Sequence, residues 1–135
     1  MNIDDSTLKA LAASLDLRQA RNEIITSNIA NAETPEYKAK RLDFEDALAN
    51  ALDIEKMKTL KRSDKKHFNV GGGGFDSLEP TVYEDPNGVV SEDGNTVDRD
   101  QELALMAKNR LLYDAAVQLL NKKLGLIKYT IQNER

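Results

Sequence analysis

The sequence contains no cysteine and no tryptophan, and it has a single histidine among its 135 residues. Without cysteine the chain can form no disulfide, no catalytic thiolate and no cysteine-based zinc site. Aromatic residues make up only 5% of the chain, whereas hydrophobic residues make up 40% and are mostly leucine, alanine, isoleucine and valine. This composition is typical of packed helices and provides few bulky side chains for a large globular core.

Long apolar runs and strong positive charge are also missing. The N-terminal residues Asn2, Ile3, Asp4 and Asp5 lack the apolar stretch of a secretory signal peptide, and no segment approaches the ~20 apolar residues that span a bilayer. The formal net charge is −4, which disfavours nucleic acid as a partner because phosphate binding needs a cationic surface. We therefore expect no membrane insertion and no nucleic-acid binding.

What the chain does have is a long amphipathic pattern at its C-terminal end. Asp98, followed three residues later by Gln101, resembles a capping box, and helical periodicity continues from there to about Gln132. One apolar stripe has spacings of three and four residues apart from one step broken by Arg110, and a second stripe runs beside it. The second stripe consists of Leu105, Leu112, Ala116, Leu119 and Leu126. Together the stripes form a wide apolar face, which must be buried against another helix.

The first thirty or so residues predict a second long helix. Asp4, Asp5 and Ser6 are candidate N-cap residues, and an apolar seam with spacings of three and four begins at Leu8. Amide side chains lie on or beside the second half of this seam, and buried amides commonly fix the register of packed helices. Thr34 and Pro35 are expected to end the helix, because the residue before proline is driven out of helical geometry.

These patterns predict a mainly α fold of one structural domain. Residues 1–35 form an N-terminal assembly helix, residues 36–92 an irregular middle region and residues 93–135 a C-terminal assembly helix. The two long helices are expected to pack as an antiparallel helical hairpin or coiled coil, because neither can leave its apolar face in water.

The middle region is more polar and is expected to contain three smaller elements. A short helix is predicted over about 43–58, and a mobile glycine-rich loop over 69–76. A small β-hairpin is predicted over 81–90, in which residues 81–83 pair with residues 89–90 across a Pro-Asn-Gly turn.

Residue constellations that carry chemistry are missing from the sequence. His67 has no acidic neighbour at metal-ligand spacing, and the glycines from Gly71 to Gly74 lack the Gly-Lys-Ser/Thr end of a phosphate-binding loop. The acidic residues between 92 and 102 lack the glycine and the glutamate that complete a calcium-binding loop. We expect no enzyme activity and no cofactor or metal.

Several segments taken together resemble the bacterial flagellar rod and hook axial proteins. Residues 27–38 read Ser-Asn-Ile-Ala-Asn-Ala-Glu-Thr-Pro-Glu-Tyr-Lys, and that family carries Asn-Ile-Ala-Asn-Ala followed by Thr-Pro-Gly-Tyr. Residues 93–98, 106–109 and 113–123 are similar to the branch of proximal rod subunits. Glu36 departs from the pattern, because the family usually has glycine there and glycine permits backbone angles closed to other residues.

The resemblance implies a structural subunit of the rod, the drive shaft inside the flagellar basal body. Such subunits are exported by the flagellar type III apparatus without a cleaved signal peptide and polymerise in the periplasm through their terminal helices. The implied partners are other rod subunits, a FliE-type adapter and the MS-ring at the base, and the export apparatus. The residues expected to form the assembly interface are Leu8, Leu11, Leu15, Asn22, Ile25, Asn28, Ile29, Asn31, Thr34, Pro35, Tyr37, Leu103, Met106, Asn109, Tyr113, Val117, Leu120, Leu124, Ile127 and Ile131.

One alternative stays open. A wide apolar face on the C-terminal helix also suits a soluble regulatory coiled-coil module that binds a partner helix. Isolation in a cytoplasmic complex, without association with basal bodies, would favour that module. A small enzyme is a third reading, for which the sequence offers no candidate residues.

Overall fold

The computed structural model describes residues 5–62 and 74–134. The order of elements is α1, β1, α2, a short 3₁₀ turn over Phe75–Ser77, β2 and α3. The fold is mainly α, as expected, with long helices near both ends of the chain and a small antiparallel sheet. The bounds are Asp5–Ala30 for α1, Lys40–Asp43 for β1, Glu45–Arg62 for α2, Thr81–Glu84 for β2 and Arg99–Asn133 for α3.

The two long helices pack against each other in antiparallel fashion. Asn109 on α3 lies opposite Arg18 on α1, and Glu102, earlier on α3, lies opposite Asn28, later on α1. Ile25 of α1 is nearly fully buried. The expected packing of the terminal helices is therefore confirmed. None of the described helices is both long enough and apolar enough to cross a membrane.

Side chains cap the long C-terminal helix where the sequence predicts. Oδ1 of Asp98 accepts hydrogen bonds from the backbone N–H groups of Asp100, at 3.0 Å, and Gln101, at 3.2 Å. These two donors have no partner inside the helix, so the N-cap satisfies them. The N-terminal helix α1 ends at Ala30, a few residues before the expected Thr34-Pro35 boundary.

The small sheet corrects one prediction. β2 pairs antiparallel with β1, so that Leu42 faces Val82 and Arg41 faces Tyr83. The expected hairpin over 81–90 is wrong, because the segment around Val89, which is 87% exposed, pairs with no strand of the described chain. Strand propensity and turn chemistry report only on local sequence, whereas β1 reaches β2 through tertiary packing.

A compact apolar cluster lies beside the sheet. Leu17 of α1, Leu42 of β1 and Phe44 are buried together, and half-buried residues of α1 and α2 surround them. α2 begins slightly later and runs longer than the short helix expected over about 43–58. Most of the expected glycine-rich loop over 69–76 lies outside the described residues. The cluster fixes α2 and β1 against the same face of α1.

Candidate functional site

The turn that follows α1 is held by the segment that precedes α3. Nδ2 of Asn95 donates to the backbone carbonyls of Asn31 and Thr34, each at 2.8 Å, and its Oδ1 accepts from the backbone N–H of Val97 at 2.7 Å. Carbonyls at the end of a helix need such donors. Asn95 is also buried. The end of α1 is therefore closed by a buried side chain from a distant part of the sequence.

Backbone hydrogen bonds join the same two segments. The N–H of Glu36 donates to the carbonyl of Asp93 at 2.8 Å, and the N–H of Thr96 donates to the carbonyl of Tyr37 at 3.1 Å. Oγ1 of Thr96 accepts from the N–H of Ala39 at 2.9 Å. The two sequence segments that carry the family resemblance therefore pack directly on each other.

Two left-handed residues meet in this unit. Glu36 has a φ of 61° and Gly94 a φ of 80°. A Cβ atom at Gly94 would lie 3.3 Å from Cγ of Glu36 and 3.4 Å from its Cα. The left-handed conformation costs a residue with a side chain roughly 1–2 kcal/mol. The turn thus needs an angle that glycine adopts freely, and Glu36 adopts it under strain.

Asn28 is fully buried and uses its whole hydrogen-bonding capacity within the chain. Its Nδ2 donates to the carbonyl of Lys40 at 2.8 Å and to Oε2 of Glu102 at 3.1 Å. Its Oδ1 accepts from the N–H of Lys40 at 3.0 Å and from the hydroxyl of Tyr37 at 3.1 Å. An amide has two donors and two acceptor positions, so this set is complete. Asn28 thereby joins α1, β1 and α3.

The carboxylate of Glu102 is also fully buried, and Arg41 neutralises it. Nη1 of Arg41 lies 2.7 Å from Oε1 of Glu102, and Nε of Arg41 lies 3.0 Å from Oδ2 of Asp85. A buried charge is tolerated only when it is paired and hydrogen-bonded. Arg41 therefore connects the first turn of α3 to the end of β2.

Arg21 and Phe44 form a second polar contact at the start of α2. The guanidinium of Arg21 lies 4.3 Å from the ring centroid of Phe44. It donates to both carboxylate oxygens of Glu45, at 2.6 and 2.9 Å, and to the carbonyl of Leu42. These hydrogen bonds lower the pKa of Glu45 from 4.5 to about 2.

Arg18 is less well satisfied than Arg21. Its Nη1 lies 3.5 Å from Oδ1 of Asn109, whose Nδ2 donates to the carbonyl of Arg18 at 2.8 Å. Its Nε is buried and has no hydrogen-bond partner among the described residues. Burial, followed by the nearby charge of Arg21, lowers the pKa of Arg18 below its ordinary value. Arg18 therefore holds a partly buried positive charge without a carboxylate in contact.

Three leucines of the second apolar stripe of α3 are exposed in the subunit. Leu112, Leu119 and Leu126 are 38%, 57% and 50% exposed, and the spacing of seven residues aligns them along one side of the helix. Ala116, which the sequence placed in the same stripe, is instead buried toward α1. Exposed leucines in a continuous row are typical of an association surface.

The expected interface residues fall into three groups. Ile25, Asn28 and Asn109 are buried within this chain. The half-buried residues are Leu8, Leu11, Leu15, Asn22, Ile29, Asn31, Tyr37, Met106, Tyr113, Val117, Leu120 and Ile127. The exposed residues are Thr34, Pro35, Leu103, Leu124 and Ile131. Their role in assembly stays a prediction.

Sequence reasoning missed the charged residues of the network. The sequence analysis does not single out Arg21 or Arg41, and it considers Glu102 only as part of the acidic run between 92 and 102, although the position of Glu102 offers a further signal. Residues three and then four positions apart lie on the same side of a helix. Counting back from the buried Asn109 by three and then by four residues reaches Glu102, which therefore lies on the face of α3 that packs against α1. A carboxylate at such a position needs a buried partner, but only the fold reveals that Arg41 provides it.

A cleft of about 430 Å³ opens between α1, β1 and α3. Arginine and lysine side chains line it together with aliphatic ones. Its lining residues are Arg18, Arg21, Ile24, Ile25, Lys40, Arg41, Leu42, Asp43, Glu45, Gln101, Leu105, Lys108, Asn109 and Leu112. No group of three or more metal-ligating side chains that could hold an ion occurs in residues 5–62 and 74–134.

Comparison with known proteins connects these features to a family. Residues 1–38 match a family described as "Flagella basal body rod protein". Over 123 residues the chain is 39% identical to flagellar basal body rod protein FlgB of Cereibacter sphaeroides, with 91% of each chain covered. It is 31% identical to FlgB of Bacillus subtilis over 132 residues, with 95% of each covered. It is 32% identical to FlgB of Salmonella typhimurium, with 89% of this chain and 88% of the relative covered. The chain therefore belongs to the FlgB family of flagellar basal body rod proteins, whose members are structural subunits and not enzymes.

Proposed function

We propose that this chain is a subunit of the proximal rod, which links the MS-ring base to the distal rod and transmits torque. The observation that supports the proposal is the division of α3 into two faces. One face packs on α1, while another exposes Leu119 and Leu126, together with Leu112, which also borders the cleft, along a helix of 35 residues. Burial of a leucine side chain contributes roughly 1.5–3 kcal/mol, so this row favours polymerisation through the terminal helices.

A subunit that transmits torque must resist sliding of its two long helices. Hydrogen bonds between α1 and α3 fix their register at two levels, one between Asn28 and Glu102 and the other between Arg18 and Asn109. Along α3 these levels are about 10 Å apart at 1.5 Å per residue. A slip by one turn would break both contacts and leave a buried carboxylate without its amide donor.

The proposal includes the setting of the protein. The subunit is exported by the flagellar type III apparatus without a cleaved signal peptide and assembles in the periplasmic part of the basal body. Its partners are other rod subunits, a FliE-type adapter and the MS-ring. Membership of a rod protein family supports this setting, and the exposed leucines of α3 provide a surface that other rod subunits can cover.

Electron microscopy of basal bodies from a strain lacking the gene tests the proposal. We expect rings without a rod or filament, and loss of swimming, because no proximal subunit is present to begin the rod. Intact rods and normal swimming would contradict the proposal. A cytoplasmic complex of the chain with a soluble partner would then favour the regulatory coiled-coil module.

A single substitution tests the surface itself. Leu119→Ser should leave the helix content of the purified chain unchanged, because Leu119 is exposed in the subunit. The same variant should fail to restore swimming to the deletion strain. Gln118→Ser changes an exposed neighbour on a different side of α3 and is the matched control. Full rescue of swimming by Leu119→Ser would show that the exposed row of leucines is not part of the assembly surface.

A further inference from the structure

The cleft between α1, β1 and α3 carries more positive charge than this chain neutralises. Arg21 and Arg41 are paired with carboxylates of the chain. Arg18, Lys40 and Lys108 also line the cleft, and none of these three forms an ion pair with a carboxylate among the described residues. Arg18 is partly buried and contacts the amide oxygen of Asn109 at 3.5 Å and the ring of Phe44 at 5.3 Å, neither of which carries a formal charge that balances the guanidinium.

Acidic residues of the cleft do not remove this excess. Glu45 is engaged by both nitrogens of the Arg21 fork. Asp43 accepts a hydrogen bond from the side chain of Tyr83, which raises the pKa of that hydroxyl. With Glu45 already paired, Asp43 is one carboxylate beside the cations of Arg18, Lys40 and Lys108, so a net positive charge remains. Leu105 and Leu112 add apolar wall to the same opening.

The outer face of α2 has the complementary chemistry. Asp46, Asn50, Asp53 and Met57 follow one another at spacings of four, three and four residues, so they share one side of the helix. All four are exposed, and Ile54 beside them is 40% exposed. Neither aspartate forms an ion pair within the described residues. This face presents two carboxylates next to two apolar side chains, and the exposed Lys56, three residues after Asp53, lies at its edge.

We propose that the outer face of α2 of one copy of this chain docks into the cleft of a second copy. Asp46 and Asp53 would meet the cations of Arg18, Lys40 and Lys108, and Ile54 and Met57 would cover Leu105 and Leu112. This contact rests on the proposed rod function and specifies one interface of it. From α2 itself only Glu45 borders the cleft, so the two surfaces are distinct.

A contact between two different surfaces has a consequence for the assembly. Each copy offers one α2 face and one cleft, so the contact is head-to-tail and leaves both ends free to add further copies. Such a contact builds an open helical series when its rotation does not close. The charge pairs select the partner and its register, because like charges placed opposite each other would be repelled.

Cysteine cross-linking tests this contact directly, because the sequence contains no native cysteine. A chain with both Lys108→Cys and Asp53→Cys should give a ladder of disulfide-linked oligomers when basal bodies are oxidised. Each single variant should give no ladder. The control pairs Asp53→Cys with Lys122→Cys, an exposed lysine two heptads further along α3 that does not line the cleft, and should not cross-link.

Charge reversal provides a second, independent readout in cells that lack the native gene. Lys108→Glu and Asp53→Lys should each reduce swimming and rod formation, and the double variant should restore both, because the reversed charges again attract. Circular dichroism should show the same helix content for all three proteins, since Lys108 and Asp53 are exposed. Normal swimming of both single variants, or no recovery by the double variant, would overturn the contact.

The outcomes separate this contact from the rod function. If the chain is present in basal bodies but forms no cross-link at the cleft, the rod function stands and the α2 contact is overturned. A cross-link from Lys108→Cys to a protein of different mass would also overturn it and assign the cleft to another rod subunit. Absence of the unmodified chain from basal bodies would overturn both proposals together.

Discussion

Nδ2 of Asn28 lies 3.1 Å from Oε2 of Glu102, and both side chains are fully buried. The two residues are 74 positions apart in the sequence and belong to opposite ends of the chain. Their hydrogen bond joins the last turns of α1 to the first turn of α3. A polar contact at this depth sets the helix register more sharply than apolar packing alone, because an offset leaves buried polar atoms without partners.

Substitution of Asn28 by alanine should therefore destabilise the subunit strongly. The change leaves the N–H and carbonyl of Lys40, the hydroxyl of Tyr37 and part of the Glu102 carboxylate without their partner. Each buried polar group that loses its partner costs about 1–3 kcal/mol, so we expect a loss of about 3 kcal/mol or more. Denaturant unfolding followed by circular dichroism measures this loss. Asn50→Ala, on the exposed face of α2, should change stability by less than about 0.5 kcal/mol.

Arg41→Met should also be costly, because it leaves the Glu102 carboxylate buried without its cation. Breaking a buried ion pair from one side typically costs about 3–5 kcal/mol. Arg110→Met is the matched control, since Arg110 pairs with Asp114 on the exposed surface of α3 and such pairs contribute at most about 1 kcal/mol. Equal unfolding midpoints for the two variants would show that Arg41 does not compensate the buried charge.

Periodicity predicted the long helices of this fold and their pairing, because the apolar spacing of α1 and α3 leaves each helix needing a partner. Asp98 was identified as an N-cap for a local reason, since capping depends on the residues of a single turn. The family resemblance rested on the segments around Asn28 and Asn95, which pack together in the fold. Such features depend on nearby residues and are readable from the sequence.

The pairing of β1 with β2 could not be predicted in the same way. Local turn chemistry favoured a hairpin over 81–90, but β2 pairs with a strand 41 residues earlier, Thr81 facing Asp43 at one end and Glu84 facing Lys40 at the other. The choice depends on the burial of Leu42 and on the contact of Arg41 with Asp85. The charged cleft could not be predicted from the sequence for the same reason, because its cations come from three elements that are separated in the sequence.

Glu36→Gly should stabilise the turn after α1. Glu36 has a φ of 61°, and glycine removes a penalty of roughly 1–2 kcal/mol while adding some freedom to the unfolded chain. We expect a net gain of about 0.5–1 kcal/mol in the free energy of unfolding. Glu92→Gly, at an exposed position with an ordinary φ, should instead lower stability slightly. A loss of stability in Glu36→Gly would contradict the strained geometry.

A substitution at Gly94, which faces Glu36, should instead lower the free energy of unfolding. Gly94→Ala places a Cβ atom 3.3 Å from Cγ of Glu36 at a φ of 80°, so it adds both strain and a tight contact. We expect a loss of about 1–2 kcal/mol. The double variant with Glu36→Gly should recover part of that loss, because the contacting Cγ is gone while the backbone strain remains. Equal effects of Gly94→Ala in both backgrounds would show that the contact contributes nothing.

The ion pair of Glu45 with Arg21 should make stability depend on pH in the acid range. The pKa of Glu45 is lowered from 4.5 to about 2 in the folded chain, so its contribution is present above pH 4.5 and is lost as the pH falls toward 2. The side chain of Glu45 is 54% exposed, and solvent screening limits the contribution to less than about 1 kcal/mol. Glu45→Gln should therefore be less stable than the native chain near neutral pH and match it near pH 2.

The two faces of α3 should respond differently to substitution in the isolated subunit. Ala116 is buried against α1, so Ala116→Leu inserts volume into a packed contact and should cost about 1–3 kcal/mol. Leu119 is 57% exposed, so Leu119→Ser should change the free energy of unfolding by less than about 0.5 kcal/mol. Denaturant titrations of the purified variants measure both effects. If Leu119→Ser proved as destabilising as Ala116→Leu, the outer face would already be covered within the subunit, and it could not be the surface through which the rod assembles.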